Sequence, residues 1–333
     1  MKIRIIGIED VKKILSMKDT IRLVELAFKE KGLNRVQMPA KSYLFFDKYK
    51  GDLRTMPSYL VGLDQCGIKI VNVHPQNPEK HNLPTIMATI LVYDPATGAP
   101  KAIMDGTWIT AMRTGAATGV ATRYLARSNV KTVGLVGAGF QAPFQLEALK
   151  EVMKLESVKV YRRSIDKAKD FAKEMSSKLN TEVSAVERPE DAVKDVDVLV
   201  TLTTARGPVV KNEWIKEGTH INAIGADAPG KQELDPAILS RARIVVDDWE
   251  QASHSGEINV PLEEGLIKKD MIYGELGEVV AGLKPGRISD DEITVFDSTG
   301  LSIQDVTTSW HVYSIAAEKN LGIEIDAFYL PKY

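Results

Sequence analysis

The chain has 333 residues, with 43 Lys plus Arg against 45 Asp plus Glu and 44% hydrophobic residues, which suits roughly two soluble domains of about 150 residues each. Its net charge of −2 is spread along the sequence and gives no electrostatic footprint for nucleic acid. No apolar run reaches the ~18 residues of a membrane helix, MKIRIIGIEDVKK lacks a signal-peptide pattern, and the lone Cys66 excludes disulfide frameworks and cysteine-based zinc sites, so a cytoplasmic protein with small-molecule partners, and neither nucleic-acid nor membrane partners, is expected.

The predicted elements begin with a helix over Met17–Lys31, capped by Ser16 and Asp19, with Met17, Ile21, Val24 and Phe28 on one face. From Lys41 to about Val92 the short apolar runs SYLFF, CGIKIVNV and TIMATILVY, broken by Gly, Pro and Asn, predict a mostly antiparallel sheet. DPATG is a turn, KAIMD a further strand, and the small-residue segment Thr107–Ala126 a closely packed helix. After Asn129 strands alternate with helices: KTVGLVG, a helix to about Met153, VKVYRR, the helix Asp166–Leu179, a strand near Val183–Ala185, a helix at Glu190–Lys194, then DVLVTLT, HINAIG, RIVVDD and ITVFDS. That alternation predicts a doubly wound parallel sheet. The last helix, Ile303–Lys319, comes too late for another crossover and is expected to pack on the first domain. The expected architecture is α/β: a Rossmann-type domain over 116–304, and a discontinuous α+β domain over 1–115 and 305–333.

VGLVGAGFQA is a strand followed by a G-x-G-x-x-A turn at Gly137, Ala138, Gly139 and Ala142, opening a helix. Gly137 permits the tight turn, Gly139 admits a pyrophosphate and Ala142 permits close helix–strand packing, so a dinucleotide is expected. Where an NAD-selective site usually carries an acidic residue on the ribose, this chain has Arg162, Arg163 and Ser164. A guanidinium there can pair with a 2′-phosphate, so NADPH is expected to be accepted at least as well as NADH. A solvated arginine pair is the plainer alternative.

Cations stand in unusual settings on the first domain: Lys69 inside CGIKIVNV, Arg113 among small helical residues, and Lys41 and Arg54 beside the early strands. Each alone reads as a snorkelling or salt-bridged side chain; together at one cleft they suit a small carboxylate. Asp227, on the loop GADAPGK at the carboxyl end of HINAIG, is the acid/base candidate, with a turn-forming aspartate as the alternative. The five histidines show no ligand spacing, so no metal is expected.

GDLRTMP, GIKIVNVHPQNP, LPTIMA, IMDGTWITAMRTGAA, VGLVGAGFQA, HINAIGADAPGKQELD, SGEIN and FDSTGLSIQD span nearly the whole chain. Together they resemble the ornithine cyclodeaminase/mu-crystallin family, in particular its archaeal alanine dehydrogenase and pyrroline-2-carboxylate reductase branch. The resemblance implies a homodimer formed through the first domain, and hydride exchange between NAD(P) and the α-carbon of an amino or imino acid. It implies that Lys69 and Arg113 hold the substrate carboxylate with Lys41 nearby, that Asp227 is catalytic beside Lys69, and that Thr85, Arg113, Gln141, Thr203, Ala223, Asp227, Lys231 and Ser298 join the Gly-rich turn around the cofactor. Arg54 departs from the glutamate of ornithine cyclodeaminases and would repel a distal ammonium. Arg162 departs from the acidic residue of NAD-preferring members. The expected activity is NAD(P)H-dependent reduction of 1-pyrroline-2-carboxylate to L-proline. Alanine dehydrogenase, ornithine cyclodeaminase and a non-enzymatic NADPH-binding protein are the alternatives.

Overall fold

The computed structural model describes residues 2–327. The chain forms two compact units: one runs up to Arg113 and resumes at Leu301, the other is Thr114–Gly300.

In the first unit the described residues build an eight-stranded sheet in the order Ile323–Asp326, Lys2–Ile6, Pro100–Asp105, Ile86–Tyr93, Gln65–Val73, Gly51–Leu60 and Val36–Gln37, with Ser42–Phe46 also on Gly51–Leu60. Lys2–Ile6 and Pro100–Asp105 are parallel, and the hairpins that follow are antiparallel. The strand Gly51–Leu60 was not anticipated from sequence, because Gly51, Asp52 and Pro57 are residues that ordinarily argue against a strand interior. Register decides which side chains share a face. Lys69 lies opposite Met56 and Ile90, and Val71 opposite Arg54 and Ala88, so these six project from one side of the sheet. The helix Ser302–Glu318 covers that side. Gly67 permits the approach: a Cβ there would lie 3.2 Å from the Val306 side chain and 2.8 Å from the Leu91 carbonyl oxygen. The helix Met17–Gly32, capped by the Ser16 hydroxyl on the Asp19 N–H at 3.1 Å, packs on the same long helix.

The second unit is a Rossmann-type fold around an eight-stranded parallel sheet. Its order is Glu182–Val186, Ser157–Tyr161, Thr132–Val136, Val198–Thr201, His220–Ala223, Thr294–Asp297, Arg243–Val246 and Ile272–Glu275. Buried Val, Ile, Leu and Ala fill one side of this sheet beneath the crossover helices, as near-continuous apolar strands require. The order reverses between Thr132–Val136 and Val198–Thr201. Ligands of open α/β sheets bind outside the carboxyl ends of strands at such a switch point.

Candidate active site

Lys69 is 1% exposed and its Nζ lies 2.6 Å from Oδ2 of Asp305, itself fully buried in the first turn of Ser302–Glu318. The other carboxylate oxygen accepts from Arg113 Nε at 2.9 Å, and Arg113 Nη1 donates to Gln304 Oε1 at 3.0 Å. Lys69 and Arg113 are thus brought together, from a strand and a helix distant in sequence, on one carboxylate. With Lys69 protonated, two cations on one anion leave one positive charge in excess in a buried place, an arrangement that a ligand carboxylate would balance. Burial, reinforced by the Arg113 charge and more weakly by Lys41, brings the Lys69 pKa down to about 7 despite Asp305.

Arg54 is held differently. Its guanidinium forks onto Asp52 at 2.8 and 3.2 Å and lies 5.4 Å from the Tyr43 ring centre. Its charge is therefore offset, which weakens the repulsion of a distal ammonium expected from sequence alone. Between Arg54 and Lys69 the sheet face is apolar, with Met56, Val71 and Ala88 buried together. Thr85 precedes the Ile86–Tyr93 strand in the same unit, its carbonyl accepting the His74 N–H at 2.8 Å.

In the second unit the Gly-rich turn sits at the carboxyl end of Thr132–Val136. Gly137 has φ +104°, and a Cβ there would come 2.8 Å from the Leu202 carbonyl oxygen, so both backbone conformation and space demand glycine. The Cβ direction of Gly139 is open within 4 Å, leaving room for a phosphate. Ala142 is fully buried at the start of the helix Ala142–Val152, and the buried Gln141 Oε1 has no hydrogen-bond partner. These features fit a dinucleotide: a tight glycine turn and an open glycine backbone at a helix N-terminus, whose N–H groups can donate to a phosphate. Ala138, Gly139, Arg162, Lys167, Asp170 and Glu174 are among the residues that line a pocket of about 430 Å³. Arg162 is therefore beside the turn, whereas Arg163 is exposed and the Ser164 hydroxyl caps the helix Ile165–Leu179.

The loops after the next strands carry the remaining candidates. Asp227 pairs with Lys231, which also reaches the Gly225 carbonyl oxygen at 3.3 Å. Ser298 donates its N–H to the Ala223 carbonyl oxygen at 3.1 Å, and the Thr203 N–H donates to Glu233 Oε1 at 2.6 Å. Sequence reasoning missed Asp305 and Gln304, although FDSTGLSIQD had been singled out. The available signal was an aspartate standing as the one Asp, Glu, Lys or Arg between Asp297 and Glu318. It also missed Glu233, Glu257 and Asn259, whose partners lie on other loops. Among the described residues no cluster of His, Cys, Asp and Glu could hold a metal ion, and no helix is long and apolar enough to cross a membrane.

Comparison with known proteins accords with this geometry. The chain is 50% identical to the alanine dehydrogenase of Archaeoglobus fulgidus over 98% of its own length and 99% of that protein's. The structure of an archaeal alanine dehydrogenase dimer with bound NAD superposes with a TM-score of 0.94 at 50% identity, covering 98% of this chain and 100% of that one. That of Thermococcus litoralis Δ1-pyrroline-2-carboxylate reductase with NADH and L-proline gives 0.93 at 43% identity, covering 96% and 99%. The family model for ornithine cyclodeaminase/mu-crystallin matches residues 2–320, and the chain belongs to the ornithine cyclodeaminase/mu-crystallin family.

Proposed function

We propose that this protein reduces the C=N bond of a small α-imino acid, foremost 1-pyrroline-2-carboxylate to L-proline. It is an NAD(P)-dependent oxidoreductase acting on the CH–NH group. The observation that carries the reading is the buried Lys69–Asp305–Arg113 set with its excess positive charge. Lys69 and Arg113 hold the substrate carboxylate, with Lys41 adding to the positive field. The apolar face of Met56, Val71 and Ala88 receives the carbon skeleton. NAD(P)H, when bound, supplies the hydride. Gly137, Ala138, Gly139 and Gln141 hold the pyrophosphate, and Thr203, Ala223, Lys231 and Ser298 line the nicotinamide side. Asp227 manages the proton of the substrate nitrogen, with Lys231 fixing its carboxylate. The working form is a homodimer, as in the archaeal alanine dehydrogenase structure.

The second reading is alanine dehydrogenase, favoured by the 50% identity to the Archaeoglobus fulgidus enzyme. The chemistry at the α-carbon is the same, and a methylene in an apolar pocket discriminates by only ~1 to 3 kcal/mol. NADPH and NADH oxidation with pyrroline-2-carboxylate, set beside pyruvate plus ammonium, separates the two. We expect the cyclic imine to turn over faster; faster turnover of pyruvate with ammonium would make the protein an alanine dehydrogenase. Ammonia release from ornithine with neither reduction would overturn both.

The place of Arg162 beside the turn supports NADPH as a cofactor at least as good as NADH. A charge-assisted hydrogen bond contributes about 1.5 to 3 kcal/mol. Arg162→Glu is therefore expected to shift the NADPH-to-NADH ratio of kcat/KM by roughly tenfold or more towards NADH. An unchanged ratio would place the arginine outside the ribose site.

A further inference from the structure

We propose that Glu233 is a positioning residue for the cofactor, its buried carboxylate tying together the two loops that border the nicotinamide. Oε1 accepts the N–H of Thr203, after the strand Val198–Thr201, at 2.6 Å. Oε2 accepts the N–H of Gly225, after His220–Ala223, at 3.0 Å. The side chain is 1% exposed, so water does not replace these bonds. Gly225 is small because it must be: a Cβ there would come within 2.6 Å of the Glu233 carboxyl carbon. One carboxylate thus sets the spacing between the Thr203 loop and the loop that carries Asp227 and Lys231.

The SGEIN segment holds this strap in place. Glu257, fully buried, accepts the N–H groups of Glu233 and Leu234 at 2.9 and 2.6 Å through Oε1. Asn259 Oδ1 accepts the Gly230 N–H at 3.0 Å, and its amide donates to the Lys231 carbonyl oxygen at 2.9 Å. Asp297 in turn accepts the Ile258 N–H at 3.1 Å. No cation pairs with Glu233 or Glu257 in any of these contacts; they satisfy backbone donors instead. Burial raises the pKa of both, and the neighbouring Glu233 raises that of Glu257 further. Two acidic side chains kept in so unfavourable a setting serve geometry at the expense of solvation.

The inference rests on the proposed cofactor reading, so its test needs a measurement independent of turnover. Glu233→Gln keeps the shape but turns one acceptor into a donor facing a backbone N–H. We expect the NADH dissociation constant, read by fluorescence titration, to rise roughly tenfold, and kcat with pyrroline-2-carboxylate to fall at least as much. Asp197→Asn is the structural control. Asp197 accepts the Lys131 and Thr132 N–H groups at 2.9 and 3.0 Å at the opposite, amino end of the strands, so its loss should lower the melting temperature without changing NADH affinity. A Glu233→Gln variant that behaves like Asp197→Asn, less heat-stable but with wild-type affinity and kcat, would overturn the positioning role. If the Gln variant does not fold, Glu233→Asp, too short to reach both loops, gives the same readings. An inactive wild-type enzyme that still binds NADH would sink the imine-reductase reading alone, while affinity still reports on Glu233. A wild-type protein that binds neither NADH nor NADPH would sink both.

Discussion

Asp227→Ala is expected to lower imine turnover at least about a hundredfold while leaving NADH affinity within a few-fold of wild type. Positioned proton transfer contributes ~10² or more, and other side chains besides Asp227 hold the loop on which it stands. Asn259 grips Gly230 and Lys231, and Glu233 grips Gly225. The substitution should therefore delete a function without moving the loop. It also frees Lys231 from its ion pair, so some of the loss could pass through that lysine. Lys231→Met, which leaves the carboxylate in place, separates the contributions. Stopped-flow reduction with each variant is the measurement; turnover of Asp227→Ala within tenfold of wild type would remove Asp227 from the acid/base role.

Lys69→Met and Asp305→Ala should behave in opposite ways. Removing Lys69 leaves Asp305 paired with Arg113, so the fold loses little, and relief of a buried, poorly solvated cation can offset the lost ion pair. The substrate, however, loses a charge-assisted partner contributing about 1.5 to 3 kcal/mol, so KM should rise by roughly tenfold or more. Removing Asp305 strands two buried cations, which costs about 3 to 5 kcal/mol of stability, and thermal melting should show it directly. The pH dependence has a definite sign. With its folded pKa brought down to about 7, Lys69 loses its proton as pH rises through that value. The unfolded chain keeps the proton up to the usual lysine range, so this group makes stability rise with pH above about 7. Substrate affinity should move the other way. A bound carboxylate favours the ammonium, so the loss should appear in kcat/KM above pH 7 and hardly in kcat. A kcat/KM profile flat across pH 7, alike in wild type and Lys69→Met, would remove Lys69 from the substrate site.

Local pattern made much of this protein legible. The G-x-G-x-x-A turn could be read because its geometry needs only a strand, three small residues and a helix start, all adjacent in sequence. The alternation of strands and helices after Asn129 identified the parallel sheet, since βαβ units are local in sequence. The helices Met17–Gly32, Thr107–Leu125 and Ile165–Leu179 fell close to their predicted bounds because apolar spacing, capping residues and a run of small residues are all local signals. Lys69 stood out for the same reason: a charged residue inside an apolar strand conflicts with its neighbours whatever the fold.

Other features depend on pairings the sequence does not display. The strand order, with Thr294–Asp297 inserted between His220–Ala223 and Arg243–Val246, follows from packing over the whole sheet. The strand Gly51–Leu60 exists because Gln65–Val73 pairs with nearly its whole length and the shorter Ser42–Phe46 and Val36–Gln37 pair on its other edge, overriding its poor intrinsic propensity. Arg54 read alone as a snorkelling or salt-bridged cation, and only the folded chain shows that its partner is Asp52, two residues away on the same strand. Asp305 and Glu233 looked unremarkable because their meaning lies in their partners: Lys69 and Arg113 for one, Thr203 and Gly225 for the other. The Gly-rich turn, the fold class and the unusual lysine were legible because each is encoded by residues within one or two elements. Which charges meet and which loops are strapped together emerges with the folded chain, because burial and hydrogen bonding join groups far apart in sequence.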